Sequence, residues 1–80
     1  MKVIYENEYN NDMGVLINLD TANKISGALN VSLDNLITNR NNLLDKNTKY
    51  FIRCEKGFHA KKAVSILEYI GYDVTFLKNK

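Results

Sequence analysis

The stretch YFIRCEKGFHAKKA, Tyr50 to Ala63, decides the fold. Tyr50-Phe51-Ile52-Arg53 is of the aromatic and β-branched type that favours a strand. A short loop follows, Cys54-Glu55-Lys56-Gly57-Phe58, and then the clearest helical pattern in the chain, His59 to Ile70. In that segment Ala60, Ala63, Val64, Leu67 and Ile70 share one stripe, while Lys61, Lys62, Ser65, Glu68 and Tyr69 fall largely on the other side. Gly71 ends the helix in the usual C-terminal way. Asp73-Val74-Thr75-Phe76-Leu77 reads as a last strand before the polar tail Lys78-Asn79-Lys80. Strand, helix and strand joined so tightly make a parallel βαβ unit.

Working toward the N-terminus, Gly14 leads into Val15-Leu16-Ile17-Asn18-Leu19, a run without alternation, as expected of a strand covered on both faces. Val3-Ile4-Tyr5 and Ala28-Leu29-Asn30-Val31 are shorter strand candidates. Ser32 is placed to cap a helix carrying Leu33, Leu36, Ile37, Leu43 and Leu44 at helical spacing, frayed at Asn39-Arg40-Asn41-Asn42. The whole predicts an α/β fold: a mainly parallel sheet of four or five strands in three layers, with helices on both faces. Pro is absent, so turns rest on four Gly and on Asn and Asp.

The 80 residues form one domain, 1–80, too short to divide into two cores. Eleven Lys and Arg stand against nine Asp and Glu, and only Arg40 and Arg53 are Arg. A net charge of +2 with so few Arg speaks against a dedicated nucleic-acid binder. No apolar run is long enough for a membrane span or a signal peptide, so the expected setting is the cytoplasm. One Cys and one His exclude the usual zinc site, an internal disulfide and dithiol chemistry within one chain. Twelve Asn scatter over turn-like stretches without forming a tract. Tyr5, Tyr9 and Tyr72, read as exposed, hint that a dimer contact or a partner covers one edge.

In an open parallel sheet, ligands bind at the carboxyl ends of strands. Cys54 stands at such an end, a few residues before a helix. Amides of a tight Gly-containing loop can converge there, and with the helix N-terminus they stabilise anionic sulfur or oxygen. Lys56 and His59 add cationic character, which Glu55 opposes. Equally open at this point is that Cys54 is an inert small apolar side chain. Lys56 then is a solvated loop charge, His59 a first-turn residue, Phe58 a packing residue or loop tip, and Asn18 and Asp20 turn and cap residues.

Tyr50 to Ala63 resembles the active-site strand, loop and helix of rhodanese-like sulfurtransferases, in which a strand ending in Cys opens a C-x-x-G-x-R loop. Leu67-Glu68-Tyr69-Ile70-Gly71-Tyr72-Asp73-Val74 is similar to that family's closing helix, turn and last strand. Val15-Leu16-Ile17-Asn18-Leu19-Asp20 resembles its V-L-I-D-V-R strand. Ile25-Ser26-Gly27-Ala28-Leu29-Asn30-Val31-Ser32-Leu33 resembles its H-I-P-G-A-I-N-I-P-L segment. The matches keep their order over residues 14 to 77 and mark a minimal, divergent member. The departures are specific. His59 stands where the loop ends in Arg, Glu55 where Arg often follows the nucleophile, Asn18 and Asp20 in place of D-x-R, and Ser26 and Ser32 in place of two prolines. Thr21-Ala22-Asn23-Lys24 leaves no room for a short helix found there in the family, and the Gly-rich, Trp-containing C-terminal segment is missing.

The resemblance implies that Cys54 takes sulfane sulfur from thiosulfate or a persulfide, holds it as a persulfide, and passes it to a thiol or cyanide-like acceptor. It implies a substrate-binding loop of Glu55, Lys56, Gly57, Phe58, His59 and Ala60, with Lys56 and His59 tuning donor choice. No cofactor and no metal are called for. The alternative is a catalytically weak or inactive binding or regulatory module, and a persulfide or redox sensor would share the same thiol. A tyrosine-phosphatase reading fails because C-x5-R would need Arg at the position of Ala60.

Overall fold

The computed structural model describes residues 1–79. Lys80, the end of the expected polar tail, lies outside the described residues. Five strands, β1 (Lys2–Tyr5), β2 (Val15–Asn18), β3 (Leu29–Asn30), β4 (Lys49–Arg53) and β5 (Asp73–Lys78), form one sheet in the order β1-β5-β4-β2-β3. All four pairings are parallel. Three α-helices, α1 (Leu33–Thr38), α2 (Arg40–Leu43) and α3 (Phe58–Ile70), complete the α/β architecture.

Side chains alternate across the strands, and the two faces are buried against different material. On one face Ile17, Tyr50, Ile52, Val74 and Phe76 join the helical residues Leu36, Ala60, Ala63, Val64 and Leu67 in one cluster. The helical four of α3 recur at i, i+3, i+4 and i+7 and are all fully buried. Two of them are Ala, which allows α3 to lie close on β4 and β5. Phe51, Thr75 and Leu77 point the other way and are also buried. The α-helices α1 and α3 pack together. On the second face the helical element is a single 3-10 turn, Glu6–Glu8, and the cover is largely loop. Tyr9 packs there at 5.2 Å from the Phe51 ring and donates a hydrogen bond to the Gly14 carbonyl, 2.7 Å. Burial pushes the Tyr9 phenol pKa up.

Local signals explain the boundaries. Ser32 Oγ accepts the Asn35 N–H, capping α1 as its position predicts. The expected frayed helix is two short helices, broken at Asn39. Gly71 ends α3 at φ 118°, its N–H donating to Leu67 and Glu68 carbonyls. Two aromatic assignments need correction. Tyr72 is buried, because the chain turns inward directly after Gly71. Tyr9 is half-buried against Phe51. Tyr5 is exposed, and Tyr69 on α3 still more so, at 93%. No helix among the described residues is long and apolar enough to cross a membrane.

Gly14 is where the second-face loop meets the sheet. A Cβ there would stand 2.5 Å from the Lys49 carbonyl oxygen and 2.9 Å from Phe51 Cε1. Gly14→Ala is therefore expected to cost about 1–3 kcal/mol through backbone displacement. A fall in Tm of about 4 °C or more would register it, whereas an unchanged Tm would show that the loop shifts freely.

Candidate functional site

The strand order creates the site. Leaving β2, the chain turns to β3 at one side; leaving β4, it passes through α3 to β5 at the other. Neighbouring parallel strands whose connections part in this way leave a crevice at their carboxyl ends. Asp20 follows β2 and Cys54 follows β4. An open pocket of ≈ 220 Å³ lies there, lined by Asp20, Cys54, Glu55, Lys56, Phe58 and His59.

Cys54 is 4% exposed and is a free thiol. Its Sγ accepts the N–H of Gly57 at 3.1 Å and of Ala60 at 3.3 Å. Ala60 is the third residue of α3, so the sulfur satisfies one of the N–H groups that a helix start leaves without an internal partner. The turn that brings these amides round is made by Gly57 at φ 85°, a region that costs a side-chain-bearing residue about 1–2 kcal/mol. Asn79, just past β5, donates through Nδ2 to the carbonyls of Cys54 and Glu55, tying the loop to the sheet.

A polar ladder braces the crevice from the opposite face. Asn18 is fully buried. Its Oδ1 accepts from Arg53 Nη1 at 2.8 Å and from the Asp20 N–H at 3.1 Å. Its Nδ2 donates toward Asn30 Oδ1, the Asp20 carbonyl and the Asn23 carbonyl. Arg53 also pairs through Nε with Glu6. Asn30 in turn accepts the Ile25 N–H and donates to the Ile25 and Ala28 carbonyls. The ladder follows the sheet register, Arg53 beside Asn18 and Asn18 beside Asn30. It holds the short turn after β2 without a helix, and it orients Asp20, whose Oδ2 accepts from Asn23 Nδ2.

The six loop residues singled out by sequence are placed differently. Glu55, Lys56, Phe58 and His59 line the pocket with Cys54. Gly57 and Ala60 contribute their amides to the sulfur. Phe58 is 59% exposed and packs edge-on against His59, 4.4 Å between ring centroids. Sequence reasoning missed two residues. Asp20, read as structural, does hold its turn but also lines the pocket. Its signal was the carboxyl end of a strand beside the Cys54 strand. Asn79 had no local signal, since its partner lies 25 residues away.

Comparisons with solved structures show the fold. A rhodanese-related protein from Thermoplasma volcanium superposes with a TM-score of 0.81 at 16% identity, covering 98% of this chain and 84% of that one. SSP1007 from Staphylococcus saprophyticus gives 0.83 at 22% identity, covering 98% and 87%. Reduced CoADR-RHD from Bacillus anthracis gives 0.78 at 21% identity, covering 96% of this chain and 15% of that much longer one. No family model and no curated protein sequence matches this chain. The chain is folded as a rhodanese-like domain.

Removing the ladder's centre should be costly. Asn18→Ala would remove one hydrogen bond each from Arg53 Nη1, Asn30 Oδ1, the Asp20 N–H and the Asp20 and Asn23 carbonyls, and about 2–4 kcal/mol of stability should be lost in urea denaturation. Asn42→Ala, at an exposed Asn in α2, should change stability by about 0.5 kcal/mol or less. Equal effects would contradict the assigned role.

Proposed function

We propose that this protein is a sulfurtransferase that carries sulfane sulfur on Cys54 as a persulfide and delivers it to a nucleophilic acceptor. The observation that carries the proposal is the pair of N–H groups, from Gly57 and Ala60, already aimed at a sulfur that lines an open pocket. In the first half-reaction the Cys54 thiolate attacks the outer sulfur of the donor. A new S–S bond forms on Sγ, the donor's own S–S bond breaks, and the donor leaves as a thiolate or, from thiosulfate, as sulfite. In the second, an acceptor thiol or cyanide-like nucleophile takes the terminal sulfur and the Cys54 thiolate is restored. The thiolate is the intrinsically strong nucleophile among side chains at neutral pH. Preorganised amides suit this chemistry because they stabilise negative charge on sulfur without reorganising at the moment of attack.

A second reading is favoured by one observation: the pocket lining contains no guanidinium, and Glu55 follows the thiol directly. On that reading the domain presents its loop to a partner without transferring sulfur. Intact mass after incubation with thiosulfate, and separately with a low-molecular-weight persulfide, separates the two. Sulfur transfer requires a gain of one sulfur atom on the wild type and none on Cys54→Ser. If neither donor adds sulfur while a thiol reagent still modifies Cys54, the binding module is the correct reading.

A further inference from the structure

Asp20 and Glu55 are the two carboxylates on the lining of the Cys54 pocket. Asp20 is held in place: Asn18 bonds both its backbone N–H and its carbonyl, and Asn23 bonds its Oδ2. Among the described residues, no cationic group forms an ion pair with either carboxylate. Among the described residues, Lys56 and His59 are the other ionisable groups on the pocket lining besides Cys54 itself. Lys61 and Lys78 line a different groove, which shares Lys56 and Phe58 with this one. Arg53, the Arg nearest in sequence to Cys54, is turned away into its contacts with Glu6 and Asn18. The Gly57 and Ala60 amides are engaged by Sγ itself. A sulfonate entering with its sulfur toward Cys54 would find no guanidinium fork, and two carboxylates against the one ammonium of Lys56. An ammonium entering the same way would find both charges complementary.

We propose that Asp20 and Glu55 make the Cys54 pocket selective for persulfides whose carbon end bears an amine, and make it discriminate against thiosulfate and carboxylate-bearing donors. The selection rests on Cys54 carrying sulfur, and it names the donor class for that step. The reaction is balanced without an external oxidant. The Cys54 thiolate and the neutral persulfide R–S–SH exchange to give Cys54–S–SH and R–S⁻, with the outer sulfur keeping its hydrogen and the electron pair of the broken S–S bond leaving on the donor thiolate. With thiosulfate the same exchange releases sulfite.

The experiment is single-turnover loading of the full chain, followed by intact mass, at low ionic strength. The donors are the persulfides of cysteamine and of mercaptopropionate, closely matched in length and opposite in end charge, together with thiosulfate. The expected result is that the cysteamine persulfide loads about tenfold faster than the carboxylate donor, with the gap closing as salt is added. Asp20→Asn and Glu55→Gln should each narrow the gap, and the double variant should load from thiosulfate about tenfold faster than the wild type. Asp12→Asn, an exposed carboxylate outside the pocket, changes the net charge equally and should leave the ratio unmoved. Glu55→Gln lies on the exposed loop, so it still tests the proposal if Asp20→Asn is poorly folded. Loading with the same donor ratio in all variants would overturn charge selection alone. Absence of loading from every donor would overturn the sulfur-transfer reading and charge selection with it.

Discussion

The Asn18 carboxamide is the point on which the functional end of the sheet depends. It is fully buried, and a polar group there costs stability unless its hydrogen-bonding capacity is met. Arg53, Asn30 and the backbone of the turn from Asp20 to Asn23 meet it. One side chain thereby joins the carboxyl ends of three neighbouring strands, and Glu6 extends the network to the second-face layer. The consequence is spacing. With β4 and β2 locked side by side at their ends, the loops that leave them in opposite directions must part, and the pocket between Asp20 and Cys54 is the gap.

The other half of the site is built by backbone rather than side chain. Gly57 supplies a conformation that brings the start of α3 back over Cys54, and the sulfur takes the place of a capping oxygen for the Ala60 N–H. Helix start and thiol therefore stabilise each other. Four lining groups, Asp20, Glu55, Lys56 and His59, stand around that pair with mixed charge. An anion-binding loop and a charge-selective approach to it are thus separable features. The amides come from the shape of the turn, whereas the approach comes from side chains on two different strand ends.

Much of the fold was legible because it is written in local periodicity. The α3 stripe, the Gly71 stop and the Ser32 cap each follow from residues within a few positions of one another. So does the strand type of Tyr50 to Arg53. The order β1-β5-β4-β2-β3 is a long-range property, and its consequences were correspondingly hidden. Asp20 could be seen to follow a strand, but its place beside Cys54 required knowing that β2 neighbours β4. Asn18 reads as a turn residue until the register sets Arg53 and Asn30 on either side of it. Tyr72, read as exposed, is buried by the inward turn after Gly71. Of the candidate site, the loop was legible through Cys54 and Gly57, whereas the opposing wall was not.

The Cys54 sulfur sits in a preformed loop, held by the amides of Gly57 and Ala60. Backbone amide NMR of the protein before and after one sulfur is placed on Cys54 tests this most directly. The Gly57 and Ala60 resonances should move most, with lesser changes confined to the rest of Glu55 through His59 and to Asp20. The resonances of β1 and β5 should stay where they were. A loaded Cys54 that leaves Gly57 and Ala60 unmoved would show that these amides do not hold the sulfur. Changes spread through the whole sheet would show that the loop is made by the sulfur and was not waiting for it.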